Sequence, residues 1–439
     1  MPIEYDRRSG AARWAAQLPR EQSLRGAILA AGLGRRLEPL TAHHLPKPLF
    51  PLGGRLPIAE LWVHRMIDAG ITDITMNVCV LAETIKRHFR ERTPLGVEVG
   101  FVDEETPTGT LGGVAKQVLG QTAKRVVDGE PTPDVRPFAG STVLVPSGDI
   151  VTNFDADMIQ RMYEIHRRQG AAVTMVVNPI PLDRRKDFGT VLLDGVEAHD
   201  GPLRESGRIV GFHEKDPNSP SNLNNASIYL VEAELLREVD NLRTQARVDV
   251  DAPFYDFGKH VFPALLGRLA HAPLAKQYPM HAVRYEGAWF DVGTKRDYLA
   301  VNEQYLDGKI HGPASYATTP WGQLGHGVDV DLRRVTIVPP VVIGDQCVIA
   351  PGATLGPYAV IGDGWTVEEG AAVAHSVLWG RDATGLEAAD TRVTAHTKVR
   401  NCIVAGGAID RDVQDATVRP VDGGIEVLSL DYVPKGPRA

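Results

Sequence analysis

The groups in this chain best placed to do chemistry stand directly behind its first apolar run. Gly26-Ala27-Ile28-Leu29-Ala30-Ala31 leads into Gly32-Leu33-Gly34-Arg35-Arg36-Leu37-Glu38-Pro39-Leu40-Thr41, and Leu45-Pro46-Lys47-Pro48-Leu49 follows. Glycines let backbone N–H groups close on a polyphosphate, and Arg36 can neutralise the charge gathered there. A dinucleotide fingerprint carries a third glycine where Leu37 stands, and a P-loop carries a GK[ST] that does not follow. The chemistry indicated is phosphate handling by a loop of neither kind. Phosphoryl transfer needs positioning and charge stabilisation more than a covalent nucleophile, and no Ser-His or Cys-His pair stands out. His43 and His44 lie just before the second basic motif, but adjacent side chains seldom converge on one ion, so they are read as loop residues.

The stretch LAAGLGRRLEPLT with LPKPL closely resembles the signature of the sugar-1-phosphate nucleotidylyltransferases. The resemblance covers nearly all of residues 25–405. ETPTGTLGG at 105–113 is similar to the family's second glycine loop, VPSGD ends at Asp149, FHEKD holds Glu214 and Lys215, NNASIY holds Asn225, and WFDVGT holds Asp291. The resemblance implies transfer of a nucleotidyl group from a nucleoside triphosphate to a sugar 1-phosphate, with release of pyrophosphate. It implies that Arg36 holds the leaving pyrophosphate, Lys47 the α-phosphate and Lys215 the phosphate of the sugar. Ala30, Gly32, Gly34, Arg35, Glu104, Gly109, Thr110 and Gly148 are then expected at the nucleotide, and Gly189, Glu214, Lys215 and Asn225 at the sugar phosphate. Asp149 and Asp291 are the ligand type that Mg²⁺ takes, with water and substrate phosphates completing its shell, so Mg²⁺ is the expected cofactor.

Glu104 bears on the base. It lies three residues before Pro107, where thymidylyl and uridylyl members typically carry Gln. A carboxylate only accepts, and guanine presents two N–H donors on one edge, which favours GTP. Among family members the chain is most like the mannose-1-phosphate guanylyltransferases. The chain departs from the family pattern in having Arg35 for Thr, Asp216 for Pro, Phe188 for Tyr and Ser227 for Gly, the last two in the sugar half. The altered sugar half leaves open a cyclitol 1-phosphate acceptor, as in aminocyclitol natural-product pathways, and DFGKHVFPALL at 256–266, which resembles ADP-glucose pyrophosphorylases, leaves open glucose 1-phosphate with ATP or dTTP. Other readings are a regulatory subunit that binds nucleotide sugar without making it, and an acyltransferase using His375 or His396.

These groups require elements to hold them. From Gly26, short apolar runs alternate with amphipathic stretches such as PIAELWVHRMIDAG, AETIKRHFRER and DADMIQRMYEIHRRQG. That alternation predicts an α/β, Rossmann-like, mostly parallel sheet with helices on both faces and ligands beyond the strands' carboxyl ends. Aliphatic residues then recur every sixth position at Ile337, Ile343, Ile349, Leu355, Ile361, Val367 and Val373, with glycines between them. A hexapeptide repeat of this kind predicts a left-handed parallel β-helix. The expected organisation is an arm at 1–24, a catalytic domain at 25–306, a linker at 307–334, a β-helix at 335–420 and a tail at 421–439.

The bulk numbers exclude some classes. A formal net charge of -8 argues against a general nucleic-acid binder. Cys79, Cys347 and Cys402 show no CxxC spacing, the N-terminus lacks the apolar core of a secretory signal, and no run approaches the length of a membrane span. A cytoplasmic protein without membrane or nucleic-acid partners is expected. The β-helix is expected to bury apolar edges between copies, giving a homodimer or higher homo-oligomer.

Overall fold

The computed structural model describes residues 14–92, 97–120, 126–127, 130–131, 138–195, 205–245, 256–267, 277–381 and 391–434. Its first half alternates strand and helix as the periodicity requires. Strand β1 is Leu24–Leu29, helix α1 Ile58–Ala69, β2 Asp73–Val78, α2 Ala82–Arg92, β3 Glu98–Asp103, α3 Gly109–Leu119 and β4 Thr142–Pro146. Helix α1 ends where Gly70 takes φ +87, a left-handed cap that suits glycine, and its N–H bonds back to Ile67.

Strands β3, β2, β1 and β4 lie side by side and parallel. Successive residues of a strand face opposite sides of the sheet, and two cores follow from this. Ile28 and Leu144 join α1 on one face, whereas Ala27, Val143 and Val145 join α3 on the other.

The second half is less regular in sequence because its strands pair antiparallel. After β5 (Ile150–Thr152) and α4 (Ala156–Arg168) come β6 Val173–Pro179, β7 Gly189–Leu193, β8 Ser206–Glu214, β9 Leu223–Glu232, α5 Ala233–Gln245, β10 Met280–Arg284, β11 Trp289–Asp291 and α6 Lys295–Leu306. Strand β9 is long enough to serve two neighbours along one edge. Its end pairs β4 through Ile228↔Pro146 to Glu232↔Thr142, and its start reaches β7 at Thr190↔Asn224. With β6 along its other edge, and β10 and β8 continuing to β7, the nine-stranded sheet curls into a small ring at this end.

Beyond residue 316 three parallel ladders form, an arrangement that fits a β-helix. Strands pair with those 18 positions on, as in Val341↔Ala359, Val348↔Thr366 and Thr354↔Ala372. Ile343, Ile349, Leu355, Ile361, Val367 and Val373 are all buried inside the coil, and Ile337 packs against them at its open start. Pairing begins within the segment 307–334: Gly322–Leu324 lies beside Val341–Ile343, and Asp329–Val330 beside Val348–Ile349. Arg392–Val393, Lys398–Arg400 and Ile403–Val404 continue the ladders. A hairpin, Ala416–Val421 with Gly424–Ser429, follows.

The coil shares a core with the first half. Trp379 is fully buried, its Nε1 donates to the Tyr298 hydroxyl at 3.0 Å, and that hydroxyl donates to the Pro51 carbonyl at 2.6 Å. Phe50 stands edge-on to Trp379 with centroids 4.9 Å apart. The N-terminal residues 14–22 form two short turns, with Trp14 against Tyr163. Among the described residues, no helix is long and apolar enough to cross a membrane.

Candidate active site

The carboxyl ends of β1 and β4 meet the middle of β9 at one point. Ser147 pairs with Leu29 on one side, its N–H bonds to the Ser227 carbonyl on the other at 2.9 Å, and Gly148 N–H bonds to the Leu29 carbonyl at 2.8 Å. A side chain at Gly148 would put its Cβ 2.9 Å from that carbonyl, so glycine is needed here. Asp149 follows and leads into β5. Strand β11 pairs antiparallel with β5, setting Asp291 opposite Ile150, one position from Asp149.

Lys47 enters between the two carboxylates. Its ammonium lies 2.5 Å from Asp149 Oδ2 and 3.8 Å from Asp291 Oδ1, and the Ser147 hydroxyl donates to Asp149 Oδ1 at 2.6 Å. Burial alone raises the pKa of Asp149, but the Lys47 charge and the hydrogen bonds outweigh it and hold the group below its ordinary value. Asp291 is pushed up to about 6 by burial and by Asp149, with Lys47 and Arg36 only partly opposing. One ammonium therefore serves two carboxylates. Their oxygens are the hard donors that suit Mg²⁺, which needs few protein ligands beside substrate phosphates.

The first glycine loop faces this pair. Gly34 has φ +61, and a Cβ there would meet Thr41 Cγ2 at 2.8 Å. Residues Arg35–Leu37 form a short 3-10 turn that leaves Arg35 and Arg36 exposed while Leu37 is buried. The Arg36 guanidinium lies over Gly293, 3.1 Å from where a Cβ would stand. Gly32 has open space on its Cα, so nothing obstructs a ligand there.

The second glycine loop is tied to the first from below. Ala30 N–H donates to Asn77 Oδ1 at 2.8 Å, Asn77 Nδ2 donates to Glu104 Oε1 at 2.8 Å, and Thr108 donates to Glu104 Oε2 through N–H at 2.6 Å and hydroxyl at 2.9 Å. Glu104 is buried with both oxygens engaged, so its carboxylate faces the protein rather than open solvent. Gly109, with φ +77, opens α3, and Thr110 Oγ1 accepts from Phe257 N–H at 2.9 Å.

The sugar-half residues gather across the ring. Gly189 is paired with Glu214, and a Cβ on it would come within 2.8 Å of the Glu214 carboxylate. Burial and the charge of Asp256 push Glu214 up, with Lys215 and Lys259 opposing. Lys215 takes φ +51 and bonds through its N–H to Phe188, leaving its side chain exposed. Asn225 is engaged internally, donating to the Tyr229 hydroxyl at 2.8 Å and accepting from Ser227 N–H at 3.0 Å. Ser227 has φ +57, the left-handed region that favours glycine, which accounts for the glycine expected at that position. Phe188 meets the edge of Trp289 at 5.6 Å, and Trp289 Nε1 donates to the Ala226 carbonyl at 3.0 Å.

The structure places Arg36, Lys47, Asp149 and Asp291 close together, and it sets beside the candidate residues four that the sequence does not single out, Ser147, Asn77, Asp256 and Trp289. Asn77 left a signal: it is an amide next to the last residue of the strand Asp73–Val78, close to its carboxyl end. His375 and His396 lie in turns of the coil with φ +48 and +62, and His375 bonds to Glu303 at 2.8 Å.

A family model described as "Nucleotidyl transferase" matches residues 25–308. A protein of Synechocystis named UTP--glucose-1-phosphate uridylyltransferase is 27% identical over 395 residues, 88% of this chain and 90% of its own. A mannose-1-phosphate guanylyltransferase of Mycobacterium tuberculosis is 27% identical over 75% of this chain and 76% of its own length. The catalytic subunit beta of that enzyme from Drosophila pseudoobscura pseudoobscura is 28% identical, with 74% and 71% covered.

Proposed function

This chain belongs to the nucleotidyl transferase family, among enzymes that act on sugar 1-phosphates, and from that premise we propose that it transfers GMP from GTP to mannose 1-phosphate. The observation that carries the nucleotidyl-transfer part of this reading is Lys47 held between Asp149 and Asp291, with Arg36 of the glycine loop facing them.

Enzymes of this family generally use Mg²⁺, and Asp149 and Asp291 would hold it here. Bound there, the ion would supply charge neutralisation at the α-phosphate. Lys47 adds a cation at the same phosphate, fixed by its hydrogen bond to Asp149 and its ion pair with Asp291. The loop N–H groups and Arg36 receive the β- and γ-phosphates, so charge building on the leaving pyrophosphate meets preorganised donors. The acceptor's phosphate oxygen attacks the α-phosphorus in line, and the bond to the bridging oxygen of pyrophosphate breaks. No proton has to move, which agrees with a site built from cations and carboxylates. Lys215 orients the attacking phosphate, and Glu214 and Asn225 accept from or donate to sugar hydroxyls at the ring.

The donor base rests on the guanylyltransferase relatives. Glu104 acts by holding Asn77 against Ala30 N–H, since both its oxygens are already engaged. A second reading, glucose 1-phosphate with UTP, is supported by the Synechocystis relative, which matches the greater length of the chain. The ring residues Phe188 and Ser227 support a third acceptor class, the cyclitol 1-phosphates. A nucleotide-sugar-binding subunit without activity is disfavoured because Arg36, Lys47, Asp149, Lys215 and Asp291 are all present.

The C-terminal ladders are best read as a left-handed β-helix that begins near residue 317 and continues through the hairpin to 429. We assign it a role in assembly between copies in the cytoplasm, a reading supported by the apolar side chains of Leu332, Val338 and Val348 that it exposes. The test of substrate is a panel of GTP, ATP, UTP and dTTP against mannose, glucose and cyclitol 1-phosphates, followed by pyrophosphate release with Mg²⁺. Turnover with GTP and mannose 1-phosphate above every other pair supports the proposal. A higher rate for UTP and glucose 1-phosphate would replace it with the second reading.

A further inference from the structure

Lys295, the first residue of α6, is fully buried. Burying an ammonium is costly unless donors find acceptors, and here they reach two main-chain carbonyls. Its Nζ donates to the Tyr432 carbonyl at 2.6 Å and to the Arg36 carbonyl at 3.3 Å. Burial lowers its pKa to about 8, with Asp431 and Glu38 opposing through space.

The Arg36 carbonyl differs from its neighbours in the loop. Gly34 and Arg35 carbonyls accept from Leu37 and Glu38 within the 3-10 turn. Arg36 turns its carbonyl inward to Lys295 and its guanidinium outward over Gly293. Both ends of Arg36 are thus set by the short connection between Asp291 and α6. That connection is in turn braced by the end of the chain. Leu430 is buried in the shared core, and its N–H bonds to the Asp415 carbonyl at 3.0 Å. Asp431 receives two bonds of 2.8 Å from Arg296, and Tyr432 N–H bonds to Ser429 at 3.0 Å.

We infer that Lys295 is a positioning residue for Arg36, and that Leu430–Tyr432 holds Lys295 in place, so that the C-terminal coil contributes to pyrophosphate binding at the glycine loop. The inference rests on the reading that Arg36 receives the pyrophosphate end of the nucleotide. Without Lys295 the Arg36 carbonyl loses its donor, and the turn is free to rotate the guanidinium away from Gly293. The acceptor pocket, across the ring at Gly189, Glu214 and Lys215, should feel none of this.

The test titrates inorganic pyrophosphate in Mg²⁺ buffer by calorimetry, and measures KM for mannose 1-phosphate or whichever acceptor the substrate panel selects. The full-length proteins compared are wild type, Arg36→Met, Lys295→Met, and Arg296→Gln with Asp431→Asn. Lys295→Met should weaken pyrophosphate about tenfold, the weight of one hydrogen bond to a charged group, with acceptor KM unchanged. The Arg296/Asp431 double variant should show the same selective loss at about threefold, and should add nothing in the Lys295→Met background. If Lys295→Met does not fold, the double variant carries the test, and wild-type pyrophosphate affinity in it overturns the inference. Equal losses on pyrophosphate and acceptor also overturn it, since they mark a merely structural lysine. If Arg36→Met weakens pyrophosphate while Lys295→Met does not, the inference falls alone. If Arg36→Met leaves pyrophosphate unchanged, the reading beneath it falls, and the inference with it.

Discussion

The ammonium of Lys47 lies 2.5 Å from Oδ2 of Asp149 and 3.8 Å from Oδ1 of Asp291, so one cation holds two carboxylates that would otherwise repel. Replacing it with methionine should lower kcat by roughly 10²- to 10³-fold, as for loss of one preorganised donor to a developing charge. The same change leaves Asp149 and Asp291 without their cation. Mg²⁺ should then raise the melting temperature of Lys47→Met by more than it raises that of wild type. Equal Mg²⁺ shifts would show that the ion binds somewhere else.

The features legible in the sequence are those that local spacing carries. Ile343 to Val373 announce the coil because each rung repeats the same inward position, and the amphipathic spacing of Ile58–Ala69 announces its helix. Lys47, Asp149 and Asp291 could be grouped only through motifs, since nothing in their separation along the chain says that β5 and β11 pair. The antiparallel ring escaped because it depends on β9 serving β4 and β7 in turn, a long-range pairing with no local period. Glu104 shows the same limit in a side chain. Its type suggested a base-reading acceptor, but its direction is set by Asn77 and Thr108, which are 27 and 4 positions away.

Glu104 therefore gives a second prediction. In Glu104→Gln the new amide must turn NH₂ either toward Asn77 Nδ2 or toward the Thr108 N–H and hydroxyl, facing donors with a donor. A buried mismatch of this kind costs about 1–3 kcal/mol, so the melting temperature should fall. Selectivity among nucleotides should change little, with any loss of affinity shared by all four. An unchanged melting temperature together with a switch away from GTP would mean that the carboxylate reads the base directly.

A third prediction concerns acid. Glu60 is buried on α1, with His64 Nε2 at 3.3 Å and His88 Nε2 at 2.8 Å. Burial by itself raises its pKa, but the two imidazoles outweigh that and bring it to about 2 from an ordinary 4.5. A carboxyl whose folded pKa is depressed stabilises the fold above its unfolded value, and that stability is lost as pH falls through the folded one. The contribution should be in place at pH 6 and disappear between about pH 4.5 and 2, by up to about 3 kcal/mol. Urea unfolding of wild type and Glu60→Gln at successive pH values measures it. A gap between the two that stays constant from pH 6 to 3 would rule this origin out.

The last prediction follows from the core that the coil and the catalytic half share. Trp379 belongs to the coil, yet its indole N–H bonds to Tyr298 and its ring meets Phe50, both from the other half. Val342, Val360 and Ile403 of the coil lie in the same buried cluster as Leu52, Leu56 and Trp62. Two units joined by a polar, hydrated contact would melt separately, whereas units that share one apolar core should melt together. Calorimetry should record a single transition for the whole chain. Trp379→Ala should cost about 3–5 kcal/mol through the cavity it leaves and move that transition down as one. Two resolved transitions in wild type, with Trp379→Ala displacing just one, would mean that the coil folds independently of the site. In that case Lys295 could not transmit the state of the coil to Arg36 through a common fold, and its influence would be confined to the contacts of Tyr432 and Asp431.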